Sequence, residues 1–391
     1  MRPAEIITLF SQRYPQAEFP ASFWSFLQEQ ERLDYSVRRA RTGEPLRAFL
    51  QRLGVAREIL DGLLDEESKI ILKTSFPGLL GSSPAKVHAY FAEHFRLVFQ
   101  LQETVLDSET LTGFNRHGGE HLRSVTHRMQ MLLGACSQQV RDSRTRTLAI
   151  IAGYVHDIGN LVSRKDHGIY GLYLLPQLFT EYDRDEPTLA AFLQIMEAVL
   201  FHEVEYGSRF PSLCDLSPVT LSLIIADKTD VNLRRVSDKS NASEAVQDAH
   251  TLVNLLTGDS RVKCQRTSLQ WEIHFSPIMP GAEAVRLPAL LKRAERVWVP
   301  DEWQKLYRQE NIEYVFIFHA TFLRLYLSRL AFAIRAVFAL YPSIETFRLV
   351  IDDDERGVSL SRSFSRDDYA QKLGMIYNNL FKNQNSGADD S

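Results

Sequence analysis

A chain of 391 residues with 45% hydrophobic and 24% charged side chains has the composition of a soluble globular protein and is long enough to bury more than one core. Forty-five basic against forty-nine acidic side chains leave a formal charge of −4, so no global positive field argues for nucleic acid or an anionic membrane as partner. Cys136, Cys214 and Cys264 are odd in number, far apart and without a Cys-x-x-Cys pair, which excludes a disulfide framework and a thiolate zinc site and favours a reducing cytoplasm.

The N-terminus, Met1-Arg2-Pro3-Ala4-Glu5-Ile6-Ile7, lacks the apolar stretch and cleavage pattern of a signal peptide. Residues 1–105 read as several helices, from the three- and four-residue recurrence of Phe23, Phe26 and Leu27 and of Leu46, Phe49, Leu50 and Leu53. Gly54, Pro77-Gly78 and Gly81-Ser82-Ser83-Pro84 punctuate them. With no phosphate loop or ligand cluster, this region reads as a helical cap or an oligomerisation module. One more helix is expected over Val87 to Asp107, and Thr112-Gly113-Phe114-Asn115 breaks the chain before the next.

That next helix carries His121, Val125, Met129, Leu132 and Leu133 on one face. His117 shares the face of His121 if the helix starts at Arg116, whereas His127 falls on another and reads as an ordinary surface or packing residue. Thr147 to Ile158 is apolar until His156-Asp157, and Gly159-Asn160 is expected to end it as a helix C-terminus. A carboxylate after so apolar a run is costly to bury without a partner, and a metal ion is such a partner. A polar loop, Ser163 to Asp166, then delivers His167-Gly168. Glu186-Pro187-Thr188 starts a helix whose buried face runs down to Phe201-His202-Glu203. Ser217-Pro218 starts another, which ends in Ala226-Asp227-Lys228-Thr229-Asp230. Buried helices that stop abruptly at a ligand-type residue are what segments converging on one site would produce.

Ser237 to Glu244 reads as a linker. Beyond it Ser268 to Phe275 alternates as a half-exposed strand does and Thr346 to Ile351 reads as a second, with helices around Pro288 to Val297 and Glu313 to Ala339 between them. His319, Arg324, Arg329 and Arg335 interrupt the apolar stretch from Tyr314 to Tyr341 too often for a membrane span, and the arginines do not form one helical stripe for nucleic acid. The expected class is mainly α: an N-terminal helical region (1–105), a helical metal-binding domain (106–240), a small α+β C-terminal domain (241–382) and a disordered tail (383–391).

Histidine nitrogen and aspartate oxygen together suit borderline divalent ions such as manganese, iron, cobalt, nickel or zinc. His121, His156, Asp157 and Asp227 are candidate ligands of one ion, and Asp157 can bridge to a second held by His167 and His202; one ion or two remain open. The ordered set resembles the HD superfamily of metal-dependent phosphohydrolases over about residues 110 to 240, most specifically in Val155-His156-Asp157-Ile158-Gly159 and Ile225-Ala226-Asp227. Lys165-Asp166-His167-Gly168 and Phe201-His202-Glu203 are similar to its two-metal branch, which includes cyclic dinucleotide phosphodiesterases. That branch usually has Lys where Asn160 stands, a second His beside His202 and a GYP signature absent here. The resemblance implies an all-helical core and hydrolysis of a phosphoester, commonly a nucleotide, by a metal-activated water; a regulatory module with a structural metal is the alternative.

Phosphate recognition needs positive charge. Lys165, with Arg164, lies just before His167, and Arg234, seven residues beyond Asp227, returns to the same face if that helix continues. Asp157, Lys165 and Arg234 are thus the candidate catalytic residues, while Lys228 reads as solvated surface. The expected partner is a phosphorylated small molecule, with no membrane; a homo-oligomer is compatible with this reading.

Overall fold

The computed structural model describes residues 3–15, 19, 21, 23–25, 47, 51, 56–64, 74–109, 118–135, 142–161, 167–203, 213–235, 253–254, 256–276, 313–354 and 357–381. The backbone divides into two compact units, Met1–Leu111 with His117–Asp227, and Thr112–Arg116 with Lys228–Ser391.

The first unit is built from helices α1 (Pro3–Arg13), α2 (Arg57–Leu63), α3 (Phe76–Leu80), α4 (Pro84–His94), α5 (Arg96–Glu109), α6 (Gly119–Ala135), α7 (Ser143–Val155), α8 (His167–Leu178), α9 (Glu186–Phe201) and α10 (Pro218–Lys228). Its one departure from an all-helical build, among the described residues, is a two-residue parallel pair, β1 (Thr74–Ser75) with β2 (Phe179–Thr180). α7 is its central helix: every residue from Thr147 to Val155 is buried, and α4, α6 and α9 pack around it. Burial of a Leu or Ile side chain contributes roughly 1.5–3 kcal/mol, so this run is a main source of the unit's stability. Gly153 lets α6 approach α7, because a Cβ there would lie 2.4 Å from Thr126 Oγ1 and 3.0 Å from its Cα. Tyr154 stacks between Phe91 and Phe99, with ring centroids 5.0 and 5.8 Å away.

Short polar caps set where these helices begin. Asp142 Oδ1 accepts from Thr145 N (2.8 Å), Asp185 Oδ1 from Thr188 N (2.8 Å) and Ser217 Oγ from Thr220 N (3.2 Å). Two expectations need correction. The helix expected over Val87 to Asp107 is two helices that meet at Phe95, and Pro77-Gly78 lies inside α3, where Ser75 Oγ caps Gly78 N and the proline occupies a first-turn position that needs no N–H donor.

In the second unit a four-stranded sheet has the order β3 (Thr257–Cys264), β4 (Ser268–Phe275), β5 (Thr346–Asp353), β6 (Val358–Ser365). β4 and β5 are parallel and the outer pairs antiparallel, with Trp271 opposite Leu349 and Ile273 opposite Ile351. The parallel pair requires a crossover, which contains helix α11 (Glu313–Leu340); Phe318 packs on Phe275 and Phe322 on Trp271 at 5.0 and 5.3 Å. Helix α12 (Tyr369–Phe381) follows β6. β4, β5 and α11 lie where the sequence patterns put them; β3 and β6 were not anticipated, and the segments 237–244, 288–297 and 383–391 lie outside the described residues. Among the described residues no helix is long and apolar enough to cross a membrane.

Candidate metal centre

Five helix ends in the first unit bring six predicted ligands together. His121 lies in the first turn of α6, His156 caps the C-terminus of α7 with Asp157 next to it, His167 opens α8, His202 caps the C-terminus of α9 and Asp227 lies in the last turn of α10. Asp157 sits between two histidine pairs. Its Oδ2 is 3.3 Å from His156 Nε2 and 3.6 Å from His121 Nε2, and its Oδ1 is 3.0 Å from His167 Nε2 and 3.6 Å from His202 Nε2. Asp227 Oδ1 joins the first pair, 3.4 Å from His121 Nε2 and 4.0 Å from His156 Nε2.

The rings are held so that Nε2 faces inward. His156 Nδ1 meets Gly153 O at 2.9 Å and His202 Nδ1 meets Val199 O at 2.7 Å. A carbonyl only accepts, so each Nδ1 carries the proton and each Nε2 presents its lone pair. His167 Nδ1 is paired instead with the Glu203 carboxylate, which also accepts from Gly168 N at 3.0 Å. Burial alone would lower the His167 pKa, but Glu203 and Asp157 push it up to about 10, while His167 holds Glu203 down at about 2 despite its own burial.

The donor set fits divalent metal. His121, His156 and Asp157 form one group, and Asp157, His167 and His202 another, with the ligand atoms in each group within 4.8 Å of one another. His156 Nε2 is buried and makes no hydrogen bond, and the Nε2 atoms of His167 and His202 approach to 3.0 Å. Imidazole nitrogens crowded around buried carboxylates are a donor set that could hold a cation.

Several other readings change. Gly159 does not cap α7 with a positive φ; Gly357 alone has one among the described glycines. It is the second residue of a 3₁₀ turn, Ile158–Leu161, and is needed for close approach: a Cβ would lie 1.8 Å from His167 O and 2.6 Å from Gly171 N. Asn160 N and Gln102 Nε2 both donate to Asp157 O, at 2.9 and 3.0 Å, which steadies the Asp157 backbone. α6 begins at Gly119, after His117, which lies with Arg164 and Lys165 outside the described residues. Of the two readings of His127, surface or packing, the structure shows the surface one: it is exposed.

The helix carrying Asp227 ends at Lys228, so the seven-residue helical relation proposed for Arg234 does not hold. Arg234 is exposed in a 3₁₀ turn, Leu233–Arg235, of the second unit. The helix stops because Ser260 Oγ donates to Thr229 O (2.8 Å) and accepts from Val231 N (3.2 Å), drawing both peptide groups to β3. Lys228 is buried rather than solvated, at 5% exposure. Glu203 is the residue that sequence reasoning passed over; its signal was the same as that of Asp157, an acid directly after a histidine at the end of an apolar helix.

No protein-family model, curated protein or solved structure matches the chain.

Proposed function

We propose that the first unit is an HD-type hydrolytic metal centre that takes two divalent ions and cleaves a phosphoester, of a nucleotide or a related small molecule, by attack of water in a reducing cytoplasm. The observation that carries this reading is the placement of Asp157, whose two oxygens each address a different histidine pair. A carboxylate so placed can be shared by two ions, which is the arrangement that clamps both sides of an in-line phosphoryl displacement. His121, His156 and Asp227 would hold one ion with Asp157, and His167 and His202 the other. Bound there, the ions would supply Lewis acidity toward phosphoryl oxygens and a water of lowered pKa.

The chain's own residues fix the charge and the dryness of the site. Asp157, Asp227 and Glu203 supply three buried negative charges, against four positive on two divalent ions. The surplus of about one positive charge favours an anionic ligand such as a phosphoryl group. Gly153 O, Val199 O and Glu203 orient three of the four imidazoles, those of His156, His202 and His167, which reduces the rotation left to freeze on binding.

One observation favours the alternative, a regulatory module with a structural ion: the side chains of His121, His156 and Asp157 are 1%, 0% and 3% exposed, while His167 at 15% is the more open ligand. The experiment that separates the two is reconstitution with manganese, iron, cobalt, nickel and zinc in turn. Each form is assayed against nucleoside mono-, di- and triphosphates, cyclic nucleotides and an aryl phosphodiester. Metal-dependent turnover that disappears in Asp157→Asn supports the hydrolase; tight metal binding with no turnover on any substrate favours the structural ion.

A further inference from the structure

The two halves of this centre are not built alike. His156 is oriented by a neutral main-chain carbonyl, and so is His202, but His167 is oriented by a carboxylate. Glu203 is 4% exposed, is the chain neighbour of His202, and bonds both the His167 ring and the Gly168 amide. It therefore ties the start of α8 to the end of α9. The joint is tight, since a Cβ on Gly168 would lie 2.9 Å from Val199 O, 3.1 Å from Leu200 O and 3.3 Å from Glu203 Cδ.

The ligand sets are also unequal. His121, His156, Asp157 and Asp227 offer four donors from side chains no more than 8% exposed, whereas Asp157, His167 and His202 offer three, of which His167 is 15% exposed. An ion with fewer protein ligands and a solvent-facing side is the one that exchanges, and its affinity depends most on how basic and how well held each remaining ligand is. A carboxylate behind an imidazole raises its donor strength and fixes its ring at once.

Resting on the two-ion reading above, we propose that Glu203 is a positioning residue that sets the affinity of the His167/His202 position alone, and that the two positions load separately, the His121/His156/Asp227 position first. The chemistry is electrostatic: the Glu203 charge stabilises the positive charge that His167 gains as it donates to an ion.

Cobalt(II) is the probe, because its visible absorption reports on ligand number and geometry. The full-length metal-free protein and its Glu203→Gln variant are titrated with cobalt(II) and then desalted for elemental analysis. Gln can still accept from Gly168 N and from His167 Nδ1, so the variant removes the charge and keeps the bonds. The wild type should take up two ions in two resolved phases. Glu203→Gln should leave the first phase and its spectrum unchanged and weaken the second by roughly 10–100-fold, the usual cost of losing such a partner. His167→Gln, which removes the ligand itself, should lose the same second phase.

Unchanged affinity for both ions in Glu203→Gln, or equal weakening of both, would overturn the proposal. So would a Glu203→Gln variant that does not fold, since the carboxylate would then serve the fold rather than one ion. A wild type that takes up one ion overturns the two-ion reading, and one that takes up none overturns the metal centre itself; both differ plainly from failure of the Glu203 role.

Discussion

Asp157→Asn tests the centre most directly, because one atom is exchanged and the side chain keeps its size. In the native protein Oδ1 lies 3.0 Å from His167 Nε2 and Oδ2 3.3 Å from His156 Nε2, so in the proposed two-ion centre the carboxylate would serve both positions. An amide offers one oxygen and one N–H₂ group, which cannot ligate, so at most one position keeps an Asp157-derived donor. An ion present at about 100 times its dissociation constant stabilises the folded state by about 2.7 kcal/mol. In a unit of 150–250 residues each kcal/mol moves the melting temperature by about 2–4 °C, so loss of one ion should remove about 5–10 °C of metal-induced stabilisation. The assay is thermal unfolding of both proteins with and without manganese, alongside elemental analysis. The comparison within each protein cancels whatever the substitution does to the metal-free fold. Turnover should fall by at least about 1,000-fold, since a metal's charge stabilisation is worth several kcal/mol and each 1.36 kcal/mol is tenfold. Two equivalents of bound metal and a full melting shift in Asp157→Asn would refute the bridging role.

The raised pKa of His167, about 10 against 6.5, means that its proton stabilises the metal-free fold fully below pH 6.5 and that this contribution fades as pH rises through about 10. Glu203, lowered from 4.5 to about 2, contributes above pH 4.5 and loses its contribution as pH falls through about 2. The pair thus favours pH 4.5–6.5 for the metal-free protein, and metal must displace the His167 proton. Calorimetric titration near pH 7 in buffers of different ionisation enthalpy should show proton release on binding, and buffer-independent heats would contradict it. Gly159→Ala should destabilise by about 3 kcal/mol or more, measured by denaturant unfolding, because the new methyl meets main-chain atoms of α8 that cannot move aside. Asn160 is fully buried and neither polar atom of its amide has a hydrogen-bond partner among the described residues; Asn160→Leu should therefore be neutral or stabilise by up to about 1–3 kcal/mol of relieved desolvation, read from denaturant unfolding, and clear destabilisation would show that the amide is satisfied in solution. In Ser260→Ala the loss of a hydroxyl that bonds Thr229 O and Val231 N should cost about 1–3 kcal/mol in the second unit, read from its unfolding transition.

What the sequence disclosed depended on whether the cause was local. Helix starts at Glu186-Pro187-Thr188 and Ser217-Pro218 were readable because a proline in the first turn or a capping serine acts within three residues, whereas the cap at Asp185 was not read. β4 and β5 were readable because both lie in the middle of the sheet and bury one face, in Leu269, Trp271 and Ile273 and in Phe347, Leu349 and Ile351. β3 and β6 are its outer strands: Asp259, Arg261 and Lys263 leave β3 with Val262 as its one large apolar side chain, and in β6 Arg362 interrupts the row of Val358, Leu360 and Phe364 that alternates with serines. Gly159 was misread because a glycine before an asparagine resembles a helix stop, and the atoms that exclude a side chain belong to α8. Arg234 was misplaced because nothing near Asp227 says that the helix stops at Lys228; the hydroxyl that turns the chain belongs to Ser260, about thirty residues on.

The clustering of the candidate ligands was legible for a reason that goes beyond motif spacing. A helix leaves its last four carbonyls without intrahelical partners, and in a buried helix water is not there to meet them. At the ends of α7 and α9 a histidine in the C-cap position turns its Nδ1–H onto a carbonyl three residues back, Gly153 O in one and Val199 O in the other. That single bond satisfies a stranded carbonyl, fixes the tautomer and aims Nε2 away from the helix. The C-terminal ends of α7, α9 and α10 meet here with the N-terminal ends of α6 and α8, so the partial charges of about half a unit nearly cancel and Asp157 and Asp227, more than the backbone, favour a cation. A histidine that abruptly ends a long apolar run is thus both a solution to helix termination and a preformed metal ligand. Glu203 shows the limit of the rule: it also follows such a histidine, yet its partner is the His167 ring brought in by α8, and only the fold reveals that it serves a ligand instead of being one.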